Sequence, residues 1–366
     1  MLRLATIGTS VITRALLEAS TRTEGVAFVG TVSRDAERAW AFTREFGGTQ
    51  AFTSVDEAAA SPEVDAVYIA SPNALHATQA LTCIAGGKHV LVEKPVGANA
   101  REAQAVFAAA DAAGVVAIEA MRLAHDPAFH TCKDALGRLG RVRRATLRFG
   151  KYSSRYDLVR AGRQTNIFDC AMASGALMDI GIYPVNAMVQ LFGAPEHVTA
   201  FPVLLDGDTR ETTHGALDGA GTIVAGYDGW AAVACYSKIT NDFQESQIEG
   251  EEGTLTINAI SVPTKARLAL RATGGADSAG YSLAAAQTCE LDLPREPNSM
   301  VYELADFAVA AEAVQTGAVP APGGAPCGPY GTVGDFQVAT LTALGILDEC
   351  RRQAGIVFPA DQAAGA

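Results

Sequence analysis

The sequence lacks most of the features that mark a membrane, disulfide-bonded or metal protein. No apolar run in the 366 residues approaches the roughly 20 that a membrane helix needs. The seven cysteines (Cys83, Cys132, Cys170, Cys235, Cys289, Cys327, Cys350) are an odd number at scattered spacings, with no C-x-x-C pair. Neither a disulfide framework nor a zinc cage is expected from them. The six histidines show no paired spacing on one helix, so no metal is expected. Basic charge is in deficit: 28 Lys and Arg against 40 Asp and Glu give a net charge of −12. That argues against a nucleic-acid partner, because phosphate contacts need clustered cations. Aromatics are few, at 7%, and the two tryptophans, Trp40 and Trp230, read as core residues. The first strand runs straight into a glycine turn without the long apolar stretch of a signal peptide, so a cytoplasmic protein with reduced thiols is expected.

What is present is apolar enough to fold. Hydrophobic residues make up 49% and charged residues 19%, which excludes wholesale disorder, and the length suits two domains. The first part alternates strand and helix. Short apolar strands at 2–7, 26–32, 65–70, 89–92 and 115–118 are separated by helical stretches at 13–20, 35–46, 75–85 and 101–113. Continuously apolar strands are buried on both faces, which predicts a doubly wound parallel sheet, an α/β domain over 1–122. From about Arg141 the pattern changes to half-exposed strands at 142–149, 221–225, 230–237, 253–257 and 266–272, interrupted by a helix at 176–192. This predicts an α+β domain over 123–366 with a mostly antiparallel open sheet. A Pro/Gly-rich stretch at 319–326 precedes a last helix at 334–354, which is expected to pack back on the first domain. The tail from 361 is expected to fray.

The first strand leads into Gly8-Thr9-Ser10-Val11-Ile12-Thr13. A dinucleotide fingerprint would read G-x-G-x-x-G, and here Ser10 and Thr13 stand in the second and third glycine places. The context of strand, turn and helix still suits a pyrophosphate at a helix N-terminus, with Gly8 making the turn. The other reading is an ordinary turn capped by Ser10. An NAD site places an acid at the end of the second strand to bind the ribose. Here that strand ends in Ser33 and Arg34, with Arg38 one turn later. A hydroxyl and two arginines suit a 2′-phosphate, so NADP(H) is favoured and NAD(H) remains possible. The alternative makes Ser33 a helix N-cap and Arg34 a solvated charge.

The strand at 89–92 runs into Glu93-Lys94-Pro95, which puts Lys94 at the carboxyl end of a parallel strand, where ligands bind. Glu93 is expected to orient it. In the helix at 176–192, Asp179 and Tyr183 are four apart and share one face within an apolar stretch. A tyrosine general acid/base with a nearby cation and an orienting carboxylate is one reading. A structural Asp–Tyr hydrogen bond is the other. Polar groups that could select a substrate are Arg122, His125 and Asp126, where the chain leaves the first domain, and Tyr156, Arg160 and Arg163 within a polar stretch from Tyr152. Clustered arginines suit an acidic or phosphorylated sugar. A solvated loop with surface ion pairs is the plainer account.

Taken together, these residues resemble the glucose–fructose oxidoreductase/inositol dehydrogenase (Gfo/Idh/MocA) family over nearly the whole chain. The resemblance rests on the N-terminal strand-turn-helix, Ser71-Pro72-Asn73 with His76, Glu93-Lys94-Pro95 and the Asp179-x-Gly181-x-Tyr183 helix. Tyr183 in place of the commoner histidine looks like the dihydrodiol dehydrogenase and glucose–fructose oxidoreductase branches. The resemblance implies a nicotinamide cofactor and hydride transfer at a hydroxyl-bearing carbon of a sugar, polyol, inositol or trans-diol. It places Ser71, Pro72 and Asn73 along the cofactor and His76 near the nicotinamide. It gives Tyr183 the role of acid/base, Lys94 that of electrostatic stabiliser and Asp179 that of orienting group. It also implies a homodimer or homotetramer through the larger sheet. The rival readings are a hydrolase or lyase that uses a tightly bound nicotinamide for transient oxidation, and a non-catalytic NADP(H)-binding sensor.

Overall fold

The computed structural model describes residues 1–271 and 285–362. The last residue of the strand expected at 266–272 and the tail beyond 362 lie outside them. The first unit begins with strand β1 (Leu2–Ile7), helix α1 (Val11–Ser20), β2 (Val26–Val32), α2 (Ala36–Glu45), β3 (Gln50–Phe52) and α3 (Val55–Ala60). It continues through β4 (Ala66–Ile69), α4 (Asn73–Ala85), β5 (His89–Glu93), α5 (Ala100–Ala113) and β6 (Ala117–Ala120). All six strands are parallel, in the order β3-β2-β1-β4-β5-β6. Residues of β4, β5 and β6 are buried throughout, because helices cover both faces of a parallel sheet. Strand order reverses between β1 and β4. That switch point is where open α/β sheets bind ligands, beyond the carboxyl ends of the strands.

Helices α6 (Arg122–His125) and α7 (Pro127–Asp134) lead out of this sheet. Then come β7 (Val142–Gly150), α8 (Ser154–Arg160), a π-helical turn (Leu177–Gly181) and α9 (Ile182–Phe192). Strands β8 (His197–Leu204), β9 (Asp218–Tyr227), β10 (Trp230–Ser237), β11 (Ser246–Gly250), β12 (Gly253–Ile257), β13 (Ala266–Arg271) and β14 (Ala285–Glu290) complete an eight-stranded sheet. Its order is β14-β13-β12-β11-β7-β10-β9-β8, and only β7 and β10 run parallel. The doubly wound parallel sheet and the mostly antiparallel second sheet are therefore both present. Two C-terminal helices return to the first sheet. Helix α10 (Met300–Gln315) packs on α1 and α6, and α11 (Val333–Ala354) lies between α5 and β6 on one side and α9 and β8 on the other.

Two local expectations need correction, and one helix was not expected. The strand expected at 115–118 is β6, two residues later, because Gly114 closes α5 in a left-handed conformation and pushes the chain on. The helix expected at 176–192 opens as a π turn. Pro184 has no N–H to give to the Ile180 carbonyl, so the ordinary ladder is broken there. Helix α10 lay in a stretch with no element assigned. Its flanks are apolar on several sides, and the acids Glu303 and Asp306 are buried inside its run. Among the described residues, no helix is long and apolar enough to cross a membrane.

Candidate active site

The turn after β1 is built for close approach. Gly8 has φ +103°, and a Cβ there would lie 2.7 Å from the Ala70 carbonyl oxygen. Only glycine meets both demands. Ser10 precedes α1 in extended geometry without capping it; its hydroxyl lies 3.2 Å from that of Thr13. The first backbone N–H groups of α1, at Val11 and Ile12, therefore have no side-chain partner, as an anion site requires. At the end of β2, the Ser33 hydroxyl accepts from the Asp35 N–H at 3.3 Å. Asp35, not Ser33, caps α2 by accepting from the Arg38 N–H. The alternative of Ser33 as N-cap is thereby overturned. Arg34 and Arg38 are both exposed.

A cavity of about 730 Å³ opens beside this turn and runs to α8, the 164–174 segment and the helix of Asp179 and Tyr183. Ser10, Ile12, Ser71, Pro72, Asn73 and His76 line its first half. Ser71 donates to Gln79 at 2.7 Å, and the Asn73 amide donates to the Ala173 carbonyl at 2.9 Å. His76 is 1% exposed, with its ring nitrogens 2.8 and 2.7 Å from the Pro95 and Ser71 carbonyls. Burial lowers its pKa, and the two carbonyls oppose that shift.

Lys94, Asp179 and Tyr183 meet in the cavity's floor. Lys94 follows β5, before a cis bond to Pro95, and its ammonium donates to the Asp179 backbone oxygen at 2.6 Å and to Oδ1 at 2.9 Å. The same ammonium lies 5.1 Å from the centroid of the Tyr183 ring, which Phe149 meets edge-on. Asp179 also accepts, through Oδ2, from Lys238 at the end of β10. Burial alone would push the Asp179 carboxyl up, but the two lysines outweigh it and hold the carboxyl well below the usual range. Burial penalises the Lys94 cation too, yet Asp179, Tyr183 and Glu93 hold its pKa above the ordinary value. Burial raises the Tyr183 phenol, and Lys94 opposes it.

The remaining expectations divide. The Lys94 ammonium donates to Asp179 and not to the Glu93 carboxylate, which accepts from the Tyr68 hydroxyl of β4 at 2.5 Å. Burial raises the Glu93 pKa. The five candidate substrate residues Arg122, His125, Tyr156, Arg160 and Arg163 do not line the cavity. Arg122 donates to Ser299 at 2.8 Å. His125 is a core residue, 1% exposed, paired with Asp306 at 2.8 Å and stacked on Phe336. Asp126 caps α7. Tyr156 packs against Phe168, and Arg160 and Arg163 face solvent. In their place stand Arg155, Gln164, Thr165, Asn166 and Ser174. Arg155 belongs to the polar stretch from Tyr152 that the sequence pointed to, whereas sequence reasoning missed Gln164, Thr165, Asn166, Ser174 and Lys238. The signals were a polar run at 164–166 and a lysine directly after an apolar strand, the same cue that singled out Lys94.

Beneath the floor, Glu119 on β6 accepts from the Val96 N–H at 3.0 Å and the Thr340 hydroxyl at 3.1 Å. Burial pushes its carboxyl up to about 7.

Comparison with known proteins places this geometry. Residues 2–121 match the model of the oxidoreductase family with an NAD-binding Rossmann fold, and residues 134–256 match the GFO/IDH/MocA C-terminal domain. The scyllo-inositol 2-dehydrogenase (NADP(+)) IolU of Bacillus subtilis strain 168 is 37% identical over 363 residues, covering 99% of this chain and 100% of that protein. The mouse trans-1,2-dihydrobenzene-1,2-diol dehydrogenase is 32% identical over 242 residues, 65% of this chain and 68% of that protein. Among solved structures, the 3-ketoreductase KijD10 of Actinomadura kijaniata with NADP and TDP-benzene shares the fold. Its TM-score is 0.76 at 22% identity, over 96% of this chain and 97% of that one.

Proposed function

The chain belongs to the Gfo/Idh/MocA family of NAD(P)-dependent oxidoreductases, and from that premise we propose that it is an NADP(H)-using dehydrogenase of a neutral cyclic polyol or sugar. The observation that carries this reading is the meeting of Lys94, Asp179 and Tyr183 in one cavity with the Gly8 turn. The cofactor fits the residues present. The space that a Gly8 Cβ would fill and the uncapped start of α1 suit its pyrophosphate, with Thr9, Ser10, Val11 and Ile12 around it. Ser33, Arg34 and Arg38 would take the 2′-phosphate, and Ser71, Pro72, Asn73, His76 and Glu93 would flank the rest. When bound, the nicotinamide supplies the hydride acceptor or donor.

The chain's own residues handle the proton. Tyr183 Oη takes the hydroxyl proton in oxidation and returns it in reduction. Lys94 stabilises the phenolate or the developing alkoxide, a contribution of about 3 kcal/mol in a dry site. Asp179 holds Lys94 through two hydrogen bonds. Gln164, Thr165 and Asn166 offer donors and acceptors to substrate hydroxyls, which supports a polyol. The IolU relative's name supports an inositol. The proposal includes a homodimer or homotetramer through the larger sheet. Its edge strand β8 carries Phe201 and Val203, both more than half exposed, and sedimentation velocity tests it.

The test is growth of reduced-nicotinamide absorbance with NADP⁺ and then NAD⁺ against inositols, aldoses and trans-diols. Turnover of an inositol or aldose, faster with NADP⁺, is expected. Silence across the panel despite proven cofactor binding would overturn the reading in favour of transient oxidation by a retained cofactor, or of sensing.

A further inference from the structure

Asp179 is shared. Its Oδ1 and backbone oxygen belong to Lys94, and its Oδ2 belongs to Lys238. Lys238 is 6% exposed, so a second ammonium has been taken out of water beside the first. Burying a charge is costly, and a Lys94–Asp179 pair is already neutral without it. A structural account of the pair therefore leaves Lys238 unexplained. Its effect on charge does explain it. One carboxylate between two lysines leaves one positive charge beyond what Asp179 neutralises, and Tyr183 and Glu93 lie on the Lys94 side of it.

Lys238 is also held at the junction of the second sheet with the substrate side of the cavity. Its N–H donates to the Gly219 carbonyl at 2.9 Å, and its carbonyl accepts from the Ser153 N–H at 2.9 Å. Ser153 caps α8, which carries Arg155 into the cavity wall. Strands β7 and β10, which pair in parallel, bring these strand ends together.

We propose that Lys238 is a positioning residue of the reaction: by taking the second oxygen of Asp179, it fixes the carboxylate on Lys94 and leaves the Lys94 charge free to act on the Tyr183 hydroxyl. The inference rests on the dehydrogenase reading above. The other groups facing Tyr183 are Glu93 from β5, Tyr68 from β4 and Arg122 from α6, besides Asp179 on its own segment. None of them touches the Asp179 carboxylate.

The test compares wild type, Lys238→Met and Lys238→Arg as full-length enzyme. Wild type is first assayed with NADP⁺ and scyllo-inositol or whichever panel compound it turns over. Lys238→Met should lower kcat about 30-fold, within the range a small misplacement costs, with KM for NADP⁺ nearly unchanged. The rise of alcohol-oxidation kcat with pH should move to higher pH, because Tyr183 must lose its proton with less help from Lys94. Lys238→Arg should regain most of the rate. A readout without substrate or cofactor accompanies this: acid unfolding of Lys238→Met should begin at higher pH, since Asp179 keeps one cation instead of two. If Lys238→Met does not fold, Lys238→Gln, which keeps a donor for Asp179 and drops the charge, replaces it. An unchanged kcat, or a loss without the pH displacement or the arginine rescue, would overturn the inference alone. A wild-type enzyme silent on every compound would overturn the dehydrogenase reading, and the inference with it.

Discussion

Two charged regions of the molecule, the floor of the cavity and the tip of β2 outside it, are built on opposite principles. In the first, Lys238 is buried, Lys94 and Asp179 are largely withdrawn from water, and each is fixed by a partner from another element. In the other, Arg34 and Arg38 stand in solvent at the tip of β2, without an ion pair among the described residues. Buried charges interact strongly, hold one geometry and shift each other's pKa values. Exposed charges are screened and mobile, and they do no more than await an anion. The first end suits chemistry, where a reacting atom must be met in place. The second suits recognition of a ligand that brings its own charge. The contrast predicts that changes at the buried end are severe and affect stability, while those at the exposed end are mild and selective.

The largest effect should come from Tyr183→Phe. The ring, its Phe149 neighbour and the ammonium beside it all remain, and only the hydroxyl group is lost. We expect kcat to fall about 1000-fold, in the range of general acid–base catalysis, with NADPH affinity by fluorescence unchanged. A loss of less than tenfold would break the contrast at its strongest point. Asp179→Asn comes next. It leaves two buried ammonium groups without their anion, so kcat should fall about 100-fold and stability by about 3 kcal/mol. The pH dependence has a definite sign. The folded carboxyl is held below its unfolded value, so its contribution is present above about pH 4 and lost as pH falls further. Urea unfolding should show that acid loss in wild type and not in Asp179→Asn.

Glu119 gives the opposite sign from the same burial. It accepts two hydrogen bonds but has no cation in contact, and its folded carboxyl titrates at about 7. The unfolded carboxyl ionises near 4.3, so stability is full below that pH and is lost as pH rises towards the folded value. Glu119→Gln should therefore gain about 2 kcal/mol at pH 8 and nothing at pH 4. Equal effects at both pH values would show that the buried end does not depend on the charge of this group.

Much of this was legible in the sequence where the signal is local. The parallel sheet declares itself because strands such as β4 and β5 are apolar on both faces. Lys94 stands out because it ends such a strand, and Asp179 with Tyr183 because a spacing of four puts two polar groups on one face of an apolar stretch. Strand β3 escaped because three residues carry no period. The substrate side escaped for a different reason. Arg155 and the 164–166 run reach the cavity only through the path of an irregular segment, which tertiary contacts decide. His125 had the right chemistry in the wrong place. Its partner Asp306 lies 181 residues further along the chain, so no local pattern could mark it as a paired core histidine.

The smallest effect, at the exposed end, is the sharpest test of the contrast. Arg34→Ala should raise KM for NADP⁺ about tenfold, near the low end for a hydrogen bond to a charged group, because water and salt share the contact. KM for NAD⁺, which has no 2′-phosphate, should not move, and neither should the melting temperature. The NADP⁺ effect should shrink as salt is added, while the Tyr183→Phe defect, which removes no charge, should not. Arg38→Ala should act in the same direction, since Arg38 follows one helical turn later on the same exposed surface. A single change that altered both cofactors equally would mean that Arg34 supports the fold of the β2 tip rather than reading the phosphate. The exposed end would then be structural too, and cofactor choice would have to be sought at Ser33 and the backbone around it.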